Sequence, residues 1–91
     1  VSETGSVHNA YINQGCIIEG SVEDSVLFTN VKIRENAEVK EAVLMPNAEV
    51  GEGAKVYRAI VADGVKIDAG AIVGDPNSEK IELISKRVRG E

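Results

Sequence analysis

Few residues of this 91-residue sequence have the types and spacing that catalysis needs. His8 is the sole histidine, and a general base needs an orienting carboxylate and a substrate pocket beside it. Cys16 is the sole cysteine, and it occupies a repeat position that Val31 fills one repeat later, which predicts a small core residue rather than a nucleophile. A metal site built from three histidines is excluded by the count. We therefore predict no catalytic residue, no metal site and no cofactor in this chain.

A basic segment near the C-terminus is the clearest candidate for binding. Residues 80 to 91 carry four positive and two negative side chains, a net charge of +2 in a chain whose net charge is −5. A basic patch attracts phosphate groups, so the segment predicts a site for a phosphorylated small molecule at Lys80, Lys86, Arg87 and Arg89. A solubilising tail is the alternative.

Composition excludes several classes of partner. The isoelectric point of about 4.9 argues against nucleic acid, whose phosphates need a basic surface. No apolar run approaches the roughly 20 residues that span a bilayer, and no signal peptide pattern is present, so we expect no membrane partner. A single cysteine fits a reducing compartment, which predicts a cytoplasmic protein.

A repeat determines how these residues are positioned. Aliphatic or small residues recur at spacings of 15, 17 and 17 in four columns, and the first interval locates a turn near Gly20 and Ser21 that is two residues short. The columns are Ile18, Ile33, Val50 and Ile67; Cys16, Val31, Ala48 and Val65; Ile12, Leu27, Leu44 and Val61; and Ala10, Ser25, Ala42 and Ala59.

Each 17-residue repeat divides into three units of about six residues, and Gly or Asn precedes the small apolar residue in seven of them. These two residue types enter the left-handed backbone region at least cost, so they indicate sharp corners. The predicted corner residues are Gly15, Asn30, Asn36, Asn47, Gly53, Gly64 and Gly70. Short strands joined by three corners per coil predict an all-β fold, a single-stranded left-handed parallel β-helix of about four coils with a triangular cross-section.

Two other folds fit the pattern less well. An amphipathic helix would need apolar spacings of 3 and 4 over at least 11 residues, which Gly or Asn interrupts in every window. An antiparallel sandwich would show hairpin turns rather than a triplet repeat. We predict one domain over residues 1–91, with a linker or cap at 1–9, coils at 10–77 and a C-terminal cap at 78–91 that covers the open prism end.

Residues 5 to 33 contain a stretch, GCIIEGSVEDSVLF, that resembles the start of the C-terminal β-helix domain of bacterial glucose-1-phosphate adenylyltransferases (ADP-glucose pyrophosphorylases). The residues that carry the likeness are Gly15, Cys16, Ile18, Gly20, Val22, Ser25, Val26, Leu27 and Phe28. The likeness continues through VLMPNAEVGEGAKVYRAIVADGVKIDAGAIVG to the GDP at 74 to 76, so it covers about three quarters of the chain. The ELISKRV ending favours the regulatory-type subunit of glycogen synthesis within that family.

The resemblance implies a part in making ADP-glucose from ATP and glucose 1-phosphate for glycogen. The family's catalytic nucleotidyltransferase domain, which would use ATP and Mg²⁺, is absent from this chain, so the fragment itself is expected to be non-catalytic. Implied partners are other subunits of a homo- or hetero-tetramer, the protein's own N-terminal catalytic-type domain and a sugar-phosphate effector that acts by allosteric regulation.

Two alternative functions stay open. A hexapeptide-repeat acyltransferase would place its active site between subunits, but such enzymes usually need a loop histidine and a long excursion from the prism, and here His8 precedes the coils. A pure assembly scaffold would lack any response to effectors.

Overall fold

The protein is a stack of short parallel strands wound into a three-sided prism, which confirms the predicted β-helix. The computed structural model describes residues 5 to 90, and none of these forms a helix long and apolar enough to cross a membrane. The strands are β1 (Ser6–His8), β2 (Tyr11–Ile12), β3 (Ile17–Ile18), β4 (Ser21–Glu23), β5 (Val26–Leu27), β6 (Lys32–Ile33), β7 (Glu38–Lys40), β8 (Val43–Leu44), β9 (Glu49–Val50), β10 (Lys55–Tyr57), β11 (Ala59–Val61), β12 (Lys66–Ile67), β13 (Ile72–Val73) and β14 (Glu82–Ile84).

Every third strand stacks in one sheet, so the prism has three sheet-covered sides. The first sheet has the order β1-β4-β7-β10-β13, the second β14-β11-β8-β5-β2 and the third β12-β9-β6-β3. All pairs are parallel, and the register places Ile12 on Leu27 and Leu27 on Leu44, which reproduces the spacings of 15 and 17. The left-handed sense of the winding stays a prediction.

The core is a set of straight columns of aliphatic side chains along the prism axis. Ile33, Val50 and Ile67 are all fully buried, as are Leu27, Leu44 and Val61. Ser25 replaces alanine in one column, and its buried hydroxyl donates to the Glu23 carbonyl (2.8 Å) and accepts from the Ala42 amide (3.1 Å). This polar side chain is therefore satisfied within the core.

The seven predicted corner residues all have positive φ, between 61° and 79°. Five of the corners are closed by a hydrogen bond from an amide to the carbonyl three residues earlier, for example from Ala48 to Met45. Positive φ at the third position of such a turn favours Gly or Asn, and the turn at Met45 also has Pro46 at the second position, where proline is common. The corner amides also continue the ladder between coils, as Asn47 N–H donates to the Thr29 carbonyl at 3.0 Å.

A third column of corners has positive φ, but only its first member is of an expected residue type. Asn9, Asp24, Glu41 and Arg58 lie between the first and second sheets with φ of 48° to 54°. The amides of Asp24, Glu41 and Arg58 each donate to a carbonyl one coil earlier at 3.0 Å. Stacking therefore holds Glu41 and Arg58 in a conformation that costs L-residues roughly 1–2 kcal/mol.

The shortened turn lies where the spacing predicts it, between β3 and β4. Gly20 is buried there, and a Cβ atom on it would lie 2.5 Å from the Ala37 carbonyl oxygen. The shorter chain thus brings the backbone against the next coil, which requires glycine.

The stacking extends beyond the expected boundaries at both ends. Ser6–His8 pairs with Ser21–Glu23, so part of the segment expected to be a linker or cap is a strand of the first coil. Glu82–Ile84 pairs with Ala59–Val61, and Val88 bridges Ile67. The C-terminal segment is therefore part of a fifth coil, in which Ile84 and Val88 pack on the core while Ile81 and Leu83 stay exposed.

Ala54 tests the inward register, since it is fully buried at a corner of the core. We expect Ala54→Leu to lower the free energy of unfolding by about 1–3 kcal/mol, because the added methyl groups have no space. Denaturant melts measure the change. An unchanged midpoint would contradict the register.

Asn36 tests the corner chemistry, since its φ is 62° and its side chain is exposed. We expect Asn36→Ala to destabilise the protein by about 1 kcal/mol, because alanine lacks the tolerance of asparagine for this backbone region. Glu35→Ala, at the exposed neighbouring position, is the control and should stay within about 0.5 kcal/mol of wild type. Equal effects of the two substitutions would argue against corner strain.

Candidate functional site

The fold separates the four residues predicted to bind an effector. Lys80 precedes β14, whereas Lys86, Arg87 and Arg89 follow it. Val88 bridges Ile67 of the third sheet, so the latter three residues lie on that side of the prism. The structure thus brings three of the four together and leaves Lys80 at the opposite end of β14.

Arg87 is held by a carboxylate of the coil beneath. Its Nε donates to Asp68 Oδ1 (2.8 Å) and its Nη2 donates to Asp68 Oδ2 (3.1 Å). This two-point contact lowers the pKa of Asp68, chiefly through the hydrogen bond, and raises that of Arg87 for the same reason. Arg87 was predicted to bind an effector, but its guanidinium already pairs with Asp68 and so holds the C-terminal segment to the coil beneath.

A shallow depression lies beside this ion pair. It is lined by Lys66, Asp68, Ala69, Arg87 and Gly90. Lys86 and Arg89 are exposed nearby in sequence. An anion could meet several basic groups here, but Asp68 lies among them.

The two residues considered for catalysis lie on different elements of the first coil, His8 in β1 and Cys16 just before β3. His8 is exposed on β1, where its register partner is Glu23. Cys16 is half-buried, packs against the core, and its Sγ donates to the Phe28 carbonyl (3.0 Å). Among residues 5 to 90, no group of three or more His, Cys, Asp or Glu side chains is placed to hold a metal ion.

A polar cluster on the first sheet was not predicted from the sequence. Lys55 Nζ donates to Glu38 Oε2 (2.9 Å), and the Tyr57 hydroxyl donates to Glu38 Oε1 (3.2 Å). The Lys55 hydrogen bond is the main cause that lowers the pKa of Glu38, whereas burial is the main cause that raises the pKa of Tyr57. The 17-residue spacing of Glu38 and Lys55 was the available signal, because stacked positions are neighbours in a parallel ladder.

Comparison with protein families matches residues 1–86 to the model described as GlmU-like, C-terminal hexapeptide. The chain belongs to this family. Its stacked coils, αL corners and aliphatic columns are the structural form of the hexapeptide repeat that the family name describes.

Curated relatives of this hexapeptide chain confirm the resemblance found in the sequence. A glucose-1-phosphate adenylyltransferase of Bacillus cytotoxicus is 51% identical over 39 residues, which is 43% of this chain and 10% of that protein. The enzyme of the same name from Geobacillus stearothermophilus is 45% identical over 40 residues, 44% of this chain and 10% of its own length. The glycogen biosynthesis protein GlgD of the same organism is 54% identical over 35 residues, 38% of this chain and 10% of its own. The chain thus matches about a tenth of the length of these relatives.

The Arg87–Asp68 contact predicts a pH dependence of the C-terminal segment. Because the folded pKa of Asp68 is lowered, the contact stabilises the segment above the unfolded carboxyl pKa of about 3.9 and is lost as the pH falls through the folded value. We expect Asp68→Asn to abolish this pH dependence and to speed hydrogen exchange at the Val88 amide, which donates to the Lys66 carbonyl. NMR-detected exchange measures both.

Two controls make this test specific. The Val26 amide, which donates to Ala42 in the middle of the stack, should exchange at the wild-type rate in Asp68→Asn. Asp63→Asn, an exposed carboxylate at another corner, should leave Val88 unchanged. Equal loosening by both substitutions would show that the Arg87 contact does not hold the segment.

Proposed function

We propose that this chain is the C-terminal oligomerisation and regulatory domain of an ADP-glucose pyrophosphorylase subunit. Such a subunit takes part in making ADP-glucose from ATP and glucose 1-phosphate for glycogen synthesis in the cytoplasm. The observation that carries the proposal is the similarity to glucose-1-phosphate adenylyltransferases and to GlgD, which extends over 39 and 35 residues.

The interior of the prism supports a role in assembly rather than in catalysis. The inward columns are aliphatic and closely stacked, and polar clusters such as Arg34–Glu49 and Lys55–Glu38 are ion pairs between partly exposed side chains on the outside. A domain of this kind offers flat outer faces and two strand-edged ends, which suit contacts with other subunits or domains.

The regulatory part of the proposal rests on the basic residues of the fifth coil. Lys86 and Arg89 are exposed, whereas Arg87 is partly neutralised by Asp68. A sugar phosphate would be held by Lys86 and Arg89, with Arg87 positioned between them. Lys80 lies apart from the other three and would contact such a ligand only if it extended past β14.

Domain replacement tests the proposal. Geobacillus stearothermophilus has both a glucose-1-phosphate adenylyltransferase and a GlgD similar to this chain, so its hexapeptide region can be exchanged in either protein. We expect each hybrid to assemble, and the pair to form ADP-glucose at a rate within about tenfold of the parent pair. Truncated proteins without any hexapeptide region are the controls and should lose assembly.

Substitution is a better test of the effector site than deletion of residues 78–91. Deletion would also remove β14, which pairs with Ala59–Val61 and covers the core there. In the hybrid enzyme, we expect Lys86→Ser with Arg89→Ser to reduce activation by sugar phosphates while leaving the unactivated rate unchanged. Lys40→Ser, on the first sheet, is the matched control. Failure of every hybrid to assemble would reject the proposed function, and unchanged activation in the double variant would reject the effector site alone.

A further inference from the structure

The outer side of the second sheet is uncharged from one end of the prism to the other and mostly apolar. Its inward positions are taken by the column from Ile12 to Ile84, so the residues on either side of that column face outward. One outward column, set by the strand register, is Tyr11, Val26, Val43, Ile60 and Leu83. The column beside it, which follows each strand, is Asn13, Phe28, Met45, Ala62 and Ser85. These ten residues, here named the apolar face, carry no charge.

The other two sides of the prism carry ion pairs along their length, although Ile72 on the first sheet and Ile17 on the third are also exposed. The first sheet has Lys55 on Glu38 and Lys40 near Glu23. The third sheet has Arg34 between Glu19 and Glu49, and Arg87 on Asp68. The ladder of charged pairs on two sides shows how this fold makes a stacked surface soluble. The apolar face departs from that pattern along all five coils, and continuous apolar surface of this kind marks an interaction site.

The most exposed apolar side chains of the face lie at its two ends. Tyr11, in the first coil, is 79% exposed and Leu83, in the fifth, is 70% exposed. Val26, Val43 and Ile60, which lie between them, are partly covered by their stacked neighbours. A flat central ridge of Val26, Val43 and Ile60 is therefore bounded by two projecting side chains.

We propose that the apolar face binds the same face of a second copy of this chain. Each copy has a net charge of −5, so two copies repel one another wherever charged sides meet. The ten residues of the apolar face carry no charge, so contact between two such faces opposes no charged side chains within the face. A symmetric pair that uses one self-complementary patch is also the commonest form of protein assembly.

The area agrees with a weak, specific dimer. Five strands about 4.8 Å apart give the face a height of roughly 20 Å, and the molecule measures 29 × 25 × 21 Å overall. Each copy therefore offers roughly 400–500 Å², and a face-to-face pair buries roughly 800–1,000 Å², the range of weak or transient interfaces.

Side-chain pairing selects an orientation in which the two stacks run in opposite directions. A two-fold axis along the strands places Tyr11 on Leu83 of the second copy and Val43 on Val43. The same axis brings Asp24 opposite Arg58 of the second copy, because both lie in the corner column beside the face. A two-fold axis along the prism would instead oppose Tyr11 to Asn13 and Leu83 to Ser85. The axis also places Glu41 opposite Glu41 of the second copy, and Arg58 of the same chain lies 3.1 Å from that carboxylate. The opposed arrangement therefore matches the apolar residues and forms two opposite-charge contacts for one like-charge contact in the corner column.

This inference deepens the oligomerisation part of the proposed function, but its test measures association of the chain alone and is independent of ADP-glucose synthesis. We expect sedimentation of the 91-residue chain to show a monomer–dimer equilibrium with Kd of roughly 1–100 µM. Leu83→Glu should weaken it at least about tenfold. Ile72→Glu is the matched control, since Ile72 is 66% exposed in the same coil but on the first sheet, and it should leave Kd unchanged.

A charge exchange tests the orientation. Asp24→Arg and Arg58→Asp should each weaken the dimer several-fold, and the double variant should recover it, because the exchange restores opposite charges across the axis and both residue types occur at positive φ in this corner column. A chain that stays monomeric throughout, or a dimer weakened equally by Leu83→Glu and Ile72→Glu, would overturn the proposed face. Loss without recovery in the double variant would overturn the opposed orientation.

Discussion

The structure depends on the in-register stacking of each coil on the one before it. Parallel strands on all three sides, together with the corner amides between them, donate to carbonyls of the adjacent coil. The register places equivalent residues directly above one another, so an aliphatic side chain in one coil needs an aliphatic side chain in the next. The same constraint places charges in columns on the outside, which allows pairs such as Lys55 and Glu38 to form one coil apart.

Stacking explains which parts of the fold could be predicted from the sequence. The inward columns could be predicted because few residue types occur at a buried position. Two sets of corners could be predicted because Gly or Asn occupies them. The third set of corners was not predicted, because Glu41 and Arg58 have no preference for positive φ. The hydrogen bonds between coils hold them there. The fifth coil was not predicted from the repeat for a different reason. Ala59 pairs with Glu82, an interval of 23 residues instead of 17, so an insertion after Val73 breaks the period.

The candidate sites show the limit of a search for chemical residue types. The basic segment was visible as a charge run, but its folded role depends on Asp68, which lies 19 residues before Arg87 and contacts it only in the stack. The apolar face was visible too, in Val26, Val43 and Ile60 just before the inward Leu27, Leu44 and Val61. It was missed because an aliphatic repeat was attributed to the core alone. In this fold the interior supplies stability, and we infer that the choice among three outer sides supplies partner recognition.

The central claim, that stability comes from the interior and association from the apolar face, is tested most directly by methyl NMR of the chain across a dilution series. The account predicts that the methyl resonances of Val43, Ile60 and Leu83 shift with concentration, whereas those of Val39 and Val56 in the core and Ile72 on the first sheet stay constant. Shifts confined to Ile72 and its neighbours, or a spectrum that does not change with concentration, would contradict it.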